Sequence, residues 1–265
     1  GNDTITGVEN VIGSNYKDDI TGNSDNNIIL SGDYSDVIRG REGDDELYGE
    51  SGNDIISGNE GNDFIYGGEG SDTIDFDEAK NGINIQLQTE EANELGKDEG
   101  KSWGEGEDYI YEIENIKGSK YNDLISGNKE NNIIDGNFGV DTVDYSYSTK
   151  GINANISKIS YTKDDLIICA ERNKVDAELD QLLNIENIIG SDHDDLVISS
   201  NEDNNIETGS GDDTVVSSKG NDTIKMGTGN DTMSYERNTQ SIKVEEYESN
   251  NTTVEKTELI KDKLY

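Results

Sequence analysis

The sequence predicts an all-β fold, a parallel β-solenoid built in three repeat blocks separated by strand-containing insertions. Two observations point to it. An aspartate or asparagine recurs every nine residues with an aliphatic side chain two positions later, and glycines crowd the stretches between. The chain also carries only 30% apolar residues, with 30 Gly and no Pro, where a layered globular domain carries about 45–50% apolar residues. A conventional core is therefore not expected. A plain disordered chain is not expected either, because such chains show no phased aliphatic positions and tend to be rich in Pro.

The first block, residues 13–75, sets the pattern with Asp18, Asn27, Asp36, Asp45, Asp54, Asp63 and Asp72, followed in phase by Ile20, Ile29, Ile38, Leu47, Ile56, Ile65 and Ile74. The second, 118–144, has Asp123, Asn132 and Asp141 with Ile125, Ile134 and Val143. The third, 190–234, has Asp195, Asn204, Asp213, Asp222 and Asp231 with Val197, Ile206, Val215, Ile224 and Met233. These fifteen nonamers read G-x-x-G-x-D-x-[I/L]-x. A longer repeat frames them. Related phrases, Val8-Glu9-Asn10-Val11, Ile113-Glu114-Asn115-Ile116 and Ile185-Glu186-Asn187-Ile188, introduce the blocks, and Asp75-Phe76, Asp144-Tyr145 and Ser234-Tyr235 close them.

Each x-[I/L]-x triplet suits a short strand with its central side chain turned inward, and the six glycine-studded residues before it suit a turn. Two nonamers then return the chain over itself, so residue i stacks on residue i+18 at the strand spacing of about 4.8 Å. The insertions, 76–117 and 145–189, contain alternating runs (Ile83, Ile85, Leu87; Ile152, Ala154, Ile156) that indicate half-buried strands widening the solenoid or capping block ends. Tyr109 and Tyr111 share one strand face, and Trp103 is expected to be a packing anchor. Residues 235–265, with Ile242, Val244, Leu259, Ile260 and Leu264, read as a cap or a truncated end. One elongated assembly over 1–265 is the expected organisation.

In this stacking Asp36 lies between Asp18 and Asp54 while Asp45 stacks on Asp63, giving two carboxylate ladders that repel unless bridged. A hard dication with six to eight oxygen ligands at about 2.3–2.6 Å matches stacked carboxylates plus turn carbonyls, and calcium suits this better than magnesium with its strict octahedron. Two buried aliphatics per 18-residue coil are a thin core against the entropy of ordering it, so the ion is expected to complete the fold. Pairing each nonamer with the one two units on gives up to about nine calcium ions. The pairs Asn27–Asp45 and Asn204–Asp222, short of one carboxylate, are expected to be the weaker sites, and Asn132 has no partner two units on within its block.

The nonamers resemble the G-G-x-G-x-D-x-U-x unit of the RTX, or haemolysin-type, calcium-binding repeat proteins. Gly67-Gly68-Glu69-Gly70-Ser71-Asp72-Thr73-Ile74-Asp75 fits at every defined position, whereas Tyr16, Tyr34 and Tyr121 replace the fourth-position glycine and Ser199-Ser200 and Ser217-Ser218 the opening pair. The resemblance implies a right-handed parallel β-roll in a bacterial protein that leaves the cell unfolded by type I secretion and folds where calcium is plentiful. It implies metal-ligand roles for Asp18, Asp36, Asp45, Asp54, Asp63, Asp72, Asp123, Asp141, Asp195, Asp213, Asp222 and Asp231, with carbonyls around Gly43, Gly52, Gly61 and Gly70 completing the shells.

A net charge of −38 disfavours nucleic acid and anionic membranes as partners. One cysteine, Cys169, excludes an internal disulfide and reads as a buried thiol, and a lone His193 in a turn reads as an exposed loop residue. No apolar run approaches the roughly 20 residues of a membrane-spanning helix. The opening residues carry no basic-then-apolar leader and begin mid-pattern, as expected of a piece of a longer protein. No nucleophile elbow, zinc-protease helix, Walker loop or EF-hand occurs, so no enzymatic activity is expected. The function expected is that of a calcium-binding structural module of a secreted bacterial cell-surface protein of adhesin or surface-layer type. Its partners would be the rest of that protein and either surface polysaccharide or further copies of itself. The alternatives are a carboxy-terminal folding and secretion module of an exported enzyme or toxin, and a carbohydrate-binding solenoid.

Overall fold

A computed structural model of the chain describes residues 7–87, 100–157, 161–163, 166–168, 173–175 and 178–235. Every regular element among them is a strand, and none of them forms a helix long and apolar enough to cross a membrane. The chain forms two compact units, one of Gly1–Asp144 with Glu178–Ile185 and the other of Tyr145–Ala177 with Glu186–Tyr265. Cys169 and the tail 236–265 lie outside the described residues.

The first unit is a parallel β-roll in which the strands of the repeat blocks alternate between two sheets. One sheet runs Asn10–Ile12, Ile28–Leu30, Glu46–Gly52, Phe64–Gly70, Glu107–Tyr111, Gly100–Trp103, Asn84–Gln86, Leu124–Ser126, Thr142–Asp144. The other runs Asp19–Thr21, Val37–Glu42, Ile55–Glu60, Thr73–Asp75, Asn115–Lys117, Ile133–Asp135, Glu178–Leu183. Within the first block the register advances by 18 residues, pairing Ile29 with Leu47 and Leu47 with Ile65 in one sheet, and Ile38 with Ile56 and Ile56 with Ile74 in the other. These six side chains are fully buried. A period of nine places each aliphatic on the inner face of alternate sheets, so the core is a single file of Ile and Leu from each side.

Four strands of the first block are longer than the three residues expected. Pairing runs on into the turns, with Arg41 opposite Asn59 and Ser51 opposite Glu69, because successive turns are copies of one another and their backbone groups fall in register. Arg41, Glu50 and Asn59 adopt positive φ at the second turn position. The fourth position is stricter at Gly61 and Gly70, although Tyr34 holds the same position at φ +75°. At Gly61 (φ +138°) an added Cβ would lie 1.9 Å from the Gly43 carbonyl oxygen, and at Gly70 (φ +148°) 1.5 Å from that of Gly52. Coil-on-coil contact, as much as left-handed backbone, therefore demands glycine there.

The insertion after residue 76 enters the roll. Phe76, Ala79, Ile83, Ile85 and Leu87 are buried, and Asn84–Gln86 pairs in parallel with Leu124–Ser126. Gly100–Trp103 is antiparallel to both its neighbours, and Glu107–Tyr111 returns to parallel pairing on Phe64–Gly70. Tyr109 and Tyr111 do share a face, flanking the buried Ile110. Trp103, however, is 42% exposed. It is not a packing anchor, because its strand residue pairs across from Glu107 on the outer face while Ser102 points inward.

In the second unit one sheet orders Asn187–Ile189, Asn205–Glu207, Thr223–Lys225, and the other Asn173–Val175, Asn153–Asn155, Leu196–Ile198, Thr214–Val216, Thr232–Ser234. Ile152, Ala154 and Ile156 are buried as their alternation predicts. Tyr161–Lys163 and Leu166–Ile168 form a separate antiparallel pair. His193 is exposed in its turn.

Candidate metal centre

The aspartates of the repeat stack in the expected pairs, and one hydrogen bond recurs along them. The backbone N–H of each rung donates to Oδ1 of the rung 18 residues later: Asp18 to Asp36 (2.8 Å), Asn27 to Asp45 (2.7 Å), Asp36 to Asp54 (2.8 Å), Asp45 to Asp63 (2.9 Å) and Asp54 to Asp72 (2.8 Å). Asp123 donates to Asp141 likewise, and Asp195, Asn204 and Asp213 to Asp213, Asp222 and Asp231. All nine pairings are thus formed.

The second oxygen is the informative one. Oδ2 of Asp36, Asp45, Asp54, Asp63, Asp72 and Asp213 is buried and meets no hydrogen-bond donor. Those of Asp45, Asp54, Asp63 and Asp72 are held against the opening glycine of their own turns, where a Cβ on Gly40 would come within 2.1 Å of Asp45 Oδ2 and one on Gly58 within 2.1 Å of Asp63 Oδ2. An anionic oxygen taken out of water without a partner costs several kcal/mol unless a proton or a cation joins it. Burial accordingly pushes Asp45 and Asp54 up to about 6 and Asp63 up to about 8, against the opposing pull of the backbone N–H each accepts. Asp72 is raised for the same reason.

Not every expected ligand has this character. The first aspartate of each block is already capped by the serine four residues before it. Ser119 donates its N–H to Asp123 Oδ2 (2.7 Å) and its hydroxyl to Oδ1 (2.6 Å); Ser191 treats Asp195 in the same way, and Ser14 N–H donates to Asp18 Oδ2. The Gly-Ser that follows each introductory phrase is therefore a carboxylate clamp. The asparagines are satisfied too. Asn132 Oδ1 accepts from Asn128 N–H and its amide donates to the Glu114 carbonyl, while Asn204 accepts from Ser200 N–H and donates to the Glu186 carbonyl. Asn27 Oδ1 accepts from Asn23 N–H. An amide suits these rungs because a carboxylate there would face a carbonyl with nothing to donate.

Three rungs escape the nine-residue scan. Asp63 N–H donates to Asp108 Oδ1, Asp72 N–H to Glu114 Oε2, and Asn132 N–H to Asp180 Oδ1. The acid two residues before a buried aliphatic (Ile110, Ile116, Leu182) was the available signal. An outer ladder escapes as well, in which the residue just before each aspartate bridges coils: Asp44 N–H to Asn26 Oδ1, Asn62 N–H to Asp44 Oδ1, and Asp212 N–H to Asp194 Oδ1. Its signal is the Asn-Asp or Asp-Asp doublet.

Among the described residues no three acidic, His or Cys side chains converge on one point. A cation would therefore be held by carboxylates two at a time, with backbone carbonyls making up a coordination of six to eight. Compared with known families, the chain matches the RTX calcium-binding nonapeptide repeat (4 copies) over residues 21–56, 31–65, 48–79, 112–143, 189–224 and 198–233, just over half its length. The chain belongs to the RTX calcium-binding repeat family. No curated protein matches it. The RTX matches cover the three blocks and leave most of both insertions outside, so the family's repeat accounts for Asp36 to Asp72 but not for Asp108 or Asp180.

Proposed function

We propose that this chain is a calcium-binding structural module of a secreted bacterial cell-surface protein, of adhesin or surface-layer type, that folds and stiffens on meeting calcium outside the cell. The buried, donorless Oδ2 atoms of Asp36, Asp45, Asp54, Asp63 and Asp72 carry the reading. They need positive charge, the family is a calcium-binding one, and hard oxygen ligands are what calcium takes. Asp36–Asp54, Asp45–Asp63 and Asp54–Asp72 would hold the strongest ions, with Gly43, Gly52, Gly61 and Gly70 supplying carbonyls. Asn27–Asp45 and Asn204–Asp222 would be weaker, as would the pairs opened by the serine-clamped Asp18, Asp123 and Asp195. Calcium there would neutralise and cross-link successive coils. The role is mechanical rather than catalytic, and the three-block architecture favours a surface module over an export signal alone.

Circular dichroism during a calcium titration tests this. Strand signal is expected to rise cooperatively and to vanish with chelator; a spectrum indifferent to both would refute it.

One observation favours carbohydrate as a ligand of the same module. Tyr48, Phe64, Tyr66 and Tyr111 form a half-exposed outer stripe on one sheet, with ring centroids 5.1–6.3 Å apart, and aromatic faces of this kind suit the apolar faces of sugar rings. Retardation in polysaccharide-containing gels, lost on Tyr66→Ala, is the expected result.

A further inference from the structure

We propose that the insertion hides a sixteenth repeat, Trp103-Gly104-Glu105-Gly106-Glu107-Asp108-Tyr109-Ile110-Tyr111, and that its turn closes a further calcium site on the turn Gly58-Asn59-Glu60-Gly61-Asn62-Asp63. This rests on the calcium reading above and extends it to residues outside the segments that match the family.

The segment reproduces each contact by which one repeat sits on another, at an offset of 45 residues instead of 18. Asp63 N–H donates to Asp108 Oδ1 at 3.1 Å, as Asp45 does to Asp63 at 2.9 Å. Glu107 N–H donates to Asn62 Oδ1 at 3.0 Å, as Asn62 does to Asp44 at 2.9 Å. Gly61 N–H donates to the Glu105 carbonyl at 3.2 Å, as Gly43 does to that of Glu60 at 3.0 Å. A Cβ on Gly106 would strike the Gly61 carbonyl oxygen at 1.5 Å, as one on Gly70 would strike that of Gly52. Beyond the turn, Tyr109, Ile110 and Tyr111 pair with Phe64, Ile65 and Tyr66.

The pair is as deeply buried as those of the repeat, with one bare oxygen instead of two. Asp63 is 0% and Asp108 3% exposed. Asp63 Oδ2 meets no donor and is folded against its own turn. Asp108 Oδ2 accepts the hydroxyl of Ser102, which orients it. The departure lies at the first position, where Trp103 stands in place of glycine. The strand leading into it is antiparallel, so the chain arrives from another direction and the position is open enough for a side chain. The same reversal ends the ladder, because the next parallel strand presents Ile83 instead of an acid at the rung position.

Calcium bound per chain, counted by equilibrium dialysis on the intact protein, tests the proposal against two variants. Asp108→Asn is expected to bind one ion fewer than wild type while keeping its strand signal in calcium, and Asp54→Asn to lose ions as well. If Asp108→Asn keeps the wild-type count while Asp54→Asn does not, the proposed site is wrong and the calcium reading stands. If the wild-type protein binds no calcium, both fall. Should Asp108→Asn fail to fold, terbium luminescence of the wild type decides. Trp103 is the only tryptophan, and energy transfer to bound terbium is short-ranged, so tryptophan-excited emission is expected. Emission excited through tyrosine alone would overturn the proposal.

Discussion

Asp45 and Asp63 are joined by a 2.9 Å hydrogen bond from the backbone N–H of the first to Oδ1 of the second, while Oδ2 of each is buried with nothing to donate to it. The same aspartates thus do two jobs in successive coils. One oxygen satisfies the backbone of the coil before, and the other creates a demand for positive charge. Removing the carboxylate would orphan an N–H, and leaving it bare would strand a charge. A bridging cation would resolve the conflict and tie the charge pattern to the fold.

The first prediction concerns pH in the absence of calcium. Asp45 and Asp54 titrate near 6 and Asp63 near 8 in the folded chain, above the usual value of about 4 in an unfolded one. A raised carboxyl pKa means that the folded state binds protons more tightly, so its stabilisation is complete below about pH 4 and is lost as pH rises through 6 to 8. With chelator present, strand circular dichroism should therefore fall between pH 5 and 8, and calcium should restore it. The calcium midpoint should drop over the same range as protons vacate the ligands. A chelated protein equally structured at pH 5 and 8 would contradict this.

Asp54→Ala should raise the calcium midpoint for folding by at least about 10-fold, the lower end of what losing even an outer-shell partner costs a metal site. Asp54 is shared by the pairs with Asp36 and Asp72. His193→Ala, in an exposed turn, should leave the midpoint unchanged. Equal tolerance of the two would argue against the stacking as the source of affinity.

Gly61→Ala should destabilise the calcium-loaded protein by about 2–4 kcal/mol, combining a left-handed backbone with overpacking against the Gly43 carbonyl. Asn59→Gly, two residues away and already at φ +68°, should change stability by less than about 1 kcal/mol. Thermal midpoints in saturating calcium compare the two directly.

Ser191→Ala removes the hydroxyl that donates to Asp195 Oδ1 at 2.7 Å. The expected cost is about 1–3 kcal/mol, as for a hydrogen bond to a charged group, with the number of bound calcium ions unchanged. A drop in that number would show that the serine clamp and a metal site are the same thing.

Much of this was readable in the sequence, and the reason is mechanical. A coil of constant length converts a nine-residue period into an 18-residue register, so Ile38 over Ile56 and Asp36 under Asp54 follow from counting. The glycines at 61 and 70 were legible as turn residues, although not the carbonyl beneath each that makes them obligatory. The introductory phrases were visible as repeats, and Glu114, two residues before Ile116 and nine before Asp123, was legible as a rung only by letting glutamate stand for aspartate.

The sequence by itself determined the coil: which residues face inward, which acids stack within a block, and that positive charge is needed to hold them. Only the tertiary structure decided what happens where the period breaks. Asp108 meets Asp63 across 45 residues and Asp180 meets Asn132 across 48, separations set by where an inserted strand returns to the sheet. It also decided which oxygens are left bare, separating Asp195, clamped by Ser191, from Asp213, which is not. A local pattern specifies a repeating step, but the partner of a chain that leaves the helix of coils and comes back is fixed by the backbone hydrogen bonds still open at the sheet edge.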